Sequence, residues 1–389
     1  MSGRRARQER RLEVGWYVET LAPLTVVSVQ MQLGRMLGAD AFWFGDHVAH
    51  AIPDALWDPK MTPMARFIPS LDAWFDPTML IARYGRRWRR PMGVSVTDPF
   101  RRSAADLARA WLSLHHTSGG RVVLGIGAGE RMNLDPVGES FTRPVARLED
   151  TLSAIRAVWS SGGGQVTHSG PFHRWENAAF LPPYRGSTPP IWVAAEGPRA
   201  CEVAGRWGDG WISYTPQLKL WQAADNRVAE GAEAAGRDPI AIDRSLFVMT
   251  VLANTAEELH RACSSPFVQM VPLAMPARAW SAAGLQHPLG EGQGGTGDLD
   301  PAVFEGSRWA ELRRLITPEV VQQLVPCGSA KSVAEQLADF VDNGVSHMVV
   351  TNLALMGGGS SSGTAAIPRS LAEQYKLIRL LKRMCPKTR

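Results

Sequence analysis

The chain has 389 residues, of which 45% are hydrophobic and 20% charged; this is ordinary globular usage and excludes fibrous, low-complexity and disordered classes. Its longest apolar runs fall far short of the roughly 20 residues that cross a bilayer. The net charge of +5 is concentrated in residues 1–12, so it does not indicate a nucleic-acid-binding protein.

The first residues, 1–11, form a basic segment that we expect to be a disordered leader, followed by a single domain over 12–389. The residues EVGWYVE over 13–19 are not the apolar core of an export signal, so we expect a cytoplasmic protein. A basic terminus of this kind is most often solvated. Its alternative role is peripheral contact with an anionic membrane surface.

Short apolar runs alternate along the chain with segments of helical period. The predicted strands are Leu12–Val18, Ala41–Gly45, Pro91–Val96, Arg121–Ile126, Pro190–Ala195, Gly210–Ser213, Arg244–Leu252 and Ser346–Thr351. The predicted helices are Leu24–Gly38, Ser103–Thr117, Pro144–Trp159, Pro198–Trp207, Gln217–Gly236, Thr255–Cys263, Ser329–Asn343 and Ile367–Met384. This alternation predicts an α/β protein with a (β/α)8 TIM barrel and insertions near 47–71, 160–189 and 265–328. The rival architecture is a doubly wound open sheet.

Small and titratable residues gather directly after the predicted strands, where barrels of this type build their active sites. The candidate site residues are Asp46, His47, Ser95, Val96, Thr97, Gly127, Gly129, Glu130, Glu196, Gly197 and Thr215. Each has a simpler structural role as its alternative; Asp46 and His47, for example, are compatible with a helix cap beside a paired histidine.

The glycine-rich loop GIGAGE over 125–130 departs from the dinucleotide-binding fingerprint because Glu130 stands where that pattern needs a third glycine. A carboxylate there would repel a pyrophosphate. The loop therefore favours a flat ring lying against the backbone. Gly197, which opens a predicted helix, is a candidate phosphate seat because free N–H groups meet the positive end of the helix dipole there.

The cysteines, at 201, 263, 327 and 385, form no CxxC pair, and the histidines form no HExxH motif. We therefore predict neither a metal site nor structural disulfides.

Several segments together resemble the luciferase-like monooxygenase superfamily. They read GADAFWFGDH over 38–47, GVSVT over 93–97, LGIGAGE over 124–130, PVARLE over 144–149, IWVAAEGP over 191–198 and GRWGDGW over 205–211. Within it they resemble the branch that uses coenzyme F420, a deazaflavin. PPYRG over 182–186 and HPLG over 287–290 are similar to the mycobacterial phthiodiolone and phenolphthiodiolone dimycocerosate ketoreductases of that branch.

The resemblance implies a deazaflavin bound at the rim of the barrel. Asp46 and His47 would flank its ring, and Ser95-Val96 would form the non-prolyl cis peptide of the family, next to Thr97. Gly127 and Gly129 would give the ring room. The phosphate tail would lie at Gly197 and Thr215, where Glu196 departs from the small or basic residue of relatives. The resemblance also implies a homodimer.

The implied reaction is hydride transfer from reduced F420 to a ketone, with a long-chain lipid as the expected substrate. His47 and Glu130 are both candidates to supply the proton, with Glu19 as a third. The alternative function is an FMN-dependent monooxygenase on the same barrel. A non-catalytic lipid-binding barrel is a further alternative.

Overall fold

A computed structural model describes residues 11–50, 52, 56–356 and 366–385. The predicted leader, apart from Arg11, lies outside the described residues. Eight parallel strands form the barrel: β1 (Glu13–Val18), β2 (Ala41–Phe44), β3 (Met92–Val94), β4 (Val122–Ile126), β7 (Ile191–Ala194), β8 (Gly210–Ser213), β9 (Asp243–Leu252) and β11 (His347–Asn352). They close in the order β9, β11, β1, β2, β3, β4, β7, β8 and back to β9. The TIM-barrel prediction is confirmed and the open-sheet alternative is wrong, because β8 pairs with β9 and leaves no edge.

Helices connect the strands on the outside of the barrel, as the βαβ alternation requires. They are α1 (Leu24–Met36), α2 (Pro77–Gly85), α3 (Ala104–Ser118), α5 (Pro144–Ser160), α6 (Pro198–Trp207), α7 (Leu218–Ala234), α8 (Ala256–Cys263), α13 (Ala330–Asp342) and α14 (Ala366–Leu381). The short helix α4 (Arg131–Leu134) lies in the loop after β4. Helix α2 was not predicted, although Asp76 caps it through Thr78 N–H and Pro77 occupies its first position.

Indole rings fill the lower interior of the barrel. Trp43 and Trp192 lie with ring centroids 5.0 Å apart, and Trp43 Nε1 donates to His347 Nε2 at 2.8 Å. Glycines on neighbouring strands make room for them: a Cβ at Gly93 would lie 2.6 Å from Trp43, and one at Gly210 would lie 2.6 Å from Trp192. These tryptophans are therefore core residues.

Segments 47–71 and 265–328 pack on each other beside the mouth of the barrel, which is the end formed by the carboxyl ends of its strands. The segment 265–328 contains α9 (Pro266–Leu273), α10 (Ala277–Ala282), α11 (Gly306–Leu315), α12 (Pro318–Leu324) and the short strand β10 (Cys327–Gly328). It has its own apolar core, which also receives Ile52 and Leu56 from the segment 47–71. Trp57 meets Phe267 edge to face at 6.1 Å.

The segment 160–189 forms a hairpin of β5 (Gln165–Ser169) and β6 (Arg174–Ala179), outside the barrel sheet. None of the helices in the described ranges has the length and apolarity to cross a membrane.

Candidate active site

Three aromatic rings lie one against another below the mouth of the barrel. Phe247 contacts Tyr17 and Tyr214, each with ring centroids 5.1 Å away. The Tyr214 hydroxyl lies 3.1 Å from Ser95 Oγ, which joins the loop after β8 to the loop after β3. Burial raises the pKa of both tyrosines, so both hydroxyls stay protonated at neutral pH.

The loop after β3 lies against the glycines that follow β4. A Cβ at Gly125 would lie 1.8 Å from the Val94 carbonyl oxygen, and one at Gly127 would lie 3.1 Å from Val96 Cγ2. Gly129 has φ +92°, which favours glycine. The predicted cis peptide between Ser95 and Val96 is confirmed. The loop after β3 therefore packs directly on the backbone of β4 and of the residues that follow it. We call the backbone of Gly125, Gly127 and Gly129 the glycine surface.

Thr97 is fixed beside this surface by its backbone. Its N–H donates to Gly125 O at 3.0 Å, and its carbonyl accepts from Gly127 N–H at 2.9 Å. The Thr97 hydroxyl is buried and has no hydrogen-bond partner among the described residues. A buried hydroxyl normally finds a partner, so this one is available to a bound group.

The two candidate proton donors are joined by Asn133, which the sequence analysis missed. Asn133 Nδ2 lies 3.0 Å from His47 Nδ1 and donates to Glu130 Oε2 at 3.1 Å. Val48 N–H donates to Asn133 Oδ1 at 3.0 Å, which fixes the orientation of the amide. Because Nδ1 accepts a hydrogen bond, the neutral His47 ring carries its proton on Nε2.

Asp46 does not orient His47. Its buried carboxylate pairs with Arg101 at 3.4 Å and Arg102 at 3.3 Å. Arg101 also donates to the Asp46 carbonyl at 2.8 Å and pairs with Asp98. Asp46 therefore anchors the loop after β2 to the loop after β3.

Two further titratable groups lie near His47 and the mouth. Burial raises the pKa of Glu19, at the end of β1, from 4.5 to about 7, so a large fraction carries a proton at neutral pH. Burial and the neighbouring His47 lower the pKa of His50 to about 3. His50 stacks on Trp74 and accepts from Ile52 N–H at 2.9 Å, so it serves as a neutral structural residue.

Glu196 turns its carboxylate toward the loop after β8. It accepts from Ser213 Oγ at 2.9 Å, from Tyr214 N–H and from the Thr215 hydroxyl. Arg278, from α10, lies 3.6 Å away and compensates the charge. The Thr215 hydroxyl proton is thereby directed at Glu196.

Gly197 is the N-cap of α6, and no heavy atom lies within 4 Å of where its Cβ would be. The first turn of this helix also carries the exposed Arg199. This end of α6 is open and positive, as an anion seat requires.

The structure thus places the predicted residues in two groups. Those after β2, β3 and β4 meet around the glycine surface, and Glu196, Gly197 and Thr215 meet at the ends of β7 and β8. The residues missed were Tyr17, Asn133, Tyr214 and Arg278. Of these, only Asn133 could have been found from the sequence, because it follows Glu130 by three residues at the start of a helix and so lies on the same helical face. In the described part of the chain, no group of three or more His, Cys, Asp or Glu side chains is arranged to hold a metal ion.

Comparison with known proteins finds relatives over nearly the whole chain. A phthiodiolone/phenolphthiodiolone dimycocerosates ketoreductase of Mycobacterium kansasii is 34% identical over 360 residues, which cover 91% of this chain and 97% of that protein. Two solved structures share the fold, each with a TM-score of 0.70 and 17% identity. One is the coenzyme F420-dependent tetrahydromethanopterin reductase of Methanopyrus kandleri, covering 96% of this chain and 98% of that one. The other is an F420-dependent secondary alcohol dehydrogenase in complex with an F420–acetone adduct, covering 95% and 99%.

The family model of the luciferase-like monooxygenases matches residues 30–347, which span the barrel from α1 to the start of β11. Together with the 34% identity across nearly the whole length of the relative, this match shows that the chain belongs to the luciferase-like monooxygenase family.

Proposed function

We propose that this protein is an F420-dependent oxidoreductase that reduces a ketone, and that its substrate is a long-chain lipid ketone. The observation that carries the proposal is the pairing of His47 and Glu130 through Asn133 beside a glycine surface at the mouth of the barrel. The names of the Mycobacterium relative and of the two solved structures support the reaction and the cofactor.

The residues at the mouth fit a deazaflavin. The glycine surface presents backbone without side chains of its own at Gly127 and Gly129. The Thr97 hydroxyl, which has no partner among the described residues, offers a hydrogen bond beside it. Gly197 and Arg199 provide N–H groups and positive charge for an anionic tail. When bound, the reduced deazaflavin supplies a hydride.

The proton is the contribution of the protein. A carbonyl oxygen gains negative charge as its carbon is reduced, and a group that holds a proton near that oxygen lowers the barrier. His47 holds such a proton on Nε2, because Asn133 donates to its other nitrogen. Asn133 also donates to Glu130, so both candidate donors are held in one network, and Glu130 is the second candidate to supply the proton.

Steady-state reduction tests the proposal. The purified protein would be mixed with reduced F420 and a series of ketones of increasing chain length, with formation of oxidised F420 as the readout. We expect turnover whose kcat/KM rises with chain length. Binding of F420 without turnover of any ketone would contradict the ketoreductase proposal. Faster turnover of short ketones than long ones would contradict the lipid substrate alone.

The FMN alternative has its own signature. A monooxygenase of this family would bind reduced FMN and consume oxygen, whereas a deazaflavin carries carbon at the position where a flavin forms its oxygen adduct. Oxygen uptake in the presence of FMN and a flavin reductase would therefore favour that alternative.

A further inference from the structure

A run of exposed arginines lies at the end of the barrel opposite the mouth. We call it the arginine patch, and its members are Arg35, Arg83, Arg86, Arg87, Arg89 and Arg90. The loop 86–91 precedes β3, and α1 ends just before β2, so both lie at the N-terminal ends of the strands. Contacts hold them together: Ser28 Oγ lies 2.8 Å from Tyr84 OH, and Arg35 lies over the Trp88 ring at 5.9 Å.

Most of this charge is not neutralised. Arg86, Arg87 and Arg89 form no ion pair with any residue that the structure describes. The nearby Asp40 is buried, and Arg11, Arg90 and Lys382 already share it at 2.9, 3.6 and 2.9 Å. The patch therefore presents a surplus of positive charge to solvent.

An exposed apolar side chain accompanies the arginines. Met36, at the end of α1, is 74% exposed and directly follows Arg35. An apolar side chain beside basic ones suits the boundary between lipid headgroups and acyl chains.

Arg11, the first residue that the structure describes, lies at this same end of the molecule. Leu12 N–H donates to Met384 O at 3.1 Å, and Arg11 pairs with Asp40 under the patch.

We propose that the arginine patch docks the protein on the surface of an anionic phospholipid membrane. Each basic residue near such a surface adds attraction, and the exposed Met36 gains contact with the headgroup boundary. A second copy of the chain is a poor occupant, since a two-fold interface would place the arginines of one copy against those of the other. Nucleic acid is also disfavoured, because Trp88, the aromatic ring in the patch, is half-buried under Arg35. The inference does not depend on the proposed reaction.

Vesicle flotation tests the proposal with the full-length protein. Vesicles of phosphatidylcholine alone would be compared with vesicles that contain about one-third phosphatidylglycerol, at about 50 mM and about 500 mM salt. We expect binding only to the anionic vesicles and loss of binding at high salt. Equal binding to both kinds of vesicle, or no binding at low salt, would overturn the proposal.

Variants locate the surface. The triple change Arg86→Gln, Arg87→Gln and Arg89→Gln should weaken vesicle binding by about tenfold or more. The matched control is Arg174→Gln, Arg308→Gln and Arg314→Gln, which removes the same charge from exposed arginines elsewhere and should bind more strongly than the patch variant. Circular dichroism checks that both variants fold. Equal vesicle binding by the two, or strong binding of single-stranded RNA with none of vesicles, would refute a membrane-docking role for the patch.

Discussion

Asn133 fixes the positions of the His47 and Glu130 side chains relative to each other through hydrogen bonds. Its amide has one oxygen fixed by Val48 N–H and two N–H groups, which reach His47 and Glu130. A carboxylate or hydroxyl at the same position could not donate to both partners. The site therefore depends on a residue that does not titrate, and a search for titratable groups alone does not find it.

Substitution of this trio tests the proposed proton delivery. We expect His47→Ala or Glu130→Gln to lower kcat for ketone reduction by about 10² to 10⁴ while F420 still binds. Asn133→Ala should lower kcat less, by about 10 to 10², because the donor remains but its orientation is lost. Rates come from reduced F420 turnover, and binding comes from tryptophan fluorescence. Unchanged kcat in both His47→Ala and Glu130→Gln would refute the assignment.

Glu19 makes stability depend on pH. Its pKa is about 7 in the folded protein against 4.5 ordinarily, so between these values the folded state binds a proton that the unfolded state has lost. The stabilisation is present below about pH 4.5 and is lost as the pH rises through about 7. When the pH rises from about 5 to about 8, the wild type should therefore lose about 2 kcal/mol more of its unfolding free energy than Glu19→Gln does.

Urea unfolding at both pH values measures this difference. The exposed Glu139→Gln is the matched control, because it removes a carboxylate far less enclosed by protein. An identical change of stability with pH in wild type and Glu19→Gln would show that the carboxyl is not protonated in the folded protein.

Glu196 connects three elements at the ends of the strands. Its carboxylate joins the end of β7 to the loop after β8 and to Arg278 on α10. In the sequence analysis, Glu196 is a departure from the small or basic residue that relatives carry beside the phosphate tail. The structure shows that the Glu196 carboxylate accepts hydrogen bonds from Ser213, Tyr214 and Thr215, so it orders the loop that carries Tyr214.

Removal of this carboxylate should destabilise the protein. Glu196→Ala leaves the Ser213 and Thr215 hydroxyls without their acceptor, and we expect a loss of about 1–3 kcal/mol of unfolding free energy. Urea unfolding measures it. Glu202→Ala on the outer face of α6, where the side chain is 42% exposed, should cost less than about 1 kcal/mol. Equal losses in the two variants would contradict the role given to Glu196.

The barrel elements were predictable because their signals are local. Buried strands such as β4 and β7 read as short apolar runs, and α5 starts at a proline. Helix α2 and the β5–β6 hairpin were missed, since α2 is short and the hairpin strands are mostly exposed and polar. Contacts such as those of Tyr214 with Ser95 and Arg278 with Glu196 join residues more than 80 positions apart, and no local pattern encodes them.

Across the whole molecule, Asp40 connects the two ends of the described chain. It accepts from Val14 N–H at 3.0 Å and pairs with Arg11, Arg90 and Lys382. Lys382 lies just beyond α14, so one buried carboxylate holds the first strand and the last helix together. Several donors around one buried charge compensate its desolvation.

Asp40→Asn should therefore be costly. The change leaves three cations around a neutral amide, and we expect a loss of about 2–4 kcal/mol of unfolding free energy. Asp106→Asn is the control, because that aspartate pairs with Arg109 on the surface, where such pairs contribute less than about 1 kcal/mol. Thermal and urea unfolding give the comparison. A loss no greater for Asp40→Asn than for Asp106→Asn would contradict the stabilising role of this cluster.

The deciding measurement is the binding of coenzyme F420 and, separately, of FMN to the purified protein, followed by quenching of its tryptophan fluorescence. The proposed function predicts saturable binding of F420 and much weaker binding of FMN. It also predicts that Gly127→Val weakens F420 binding, because the added side chain meets Val96 on the glycine surface. Preferential binding of FMN, or F420 binding that Gly127→Val leaves unchanged, would contradict a deazaflavin site at the mouth of the barrel.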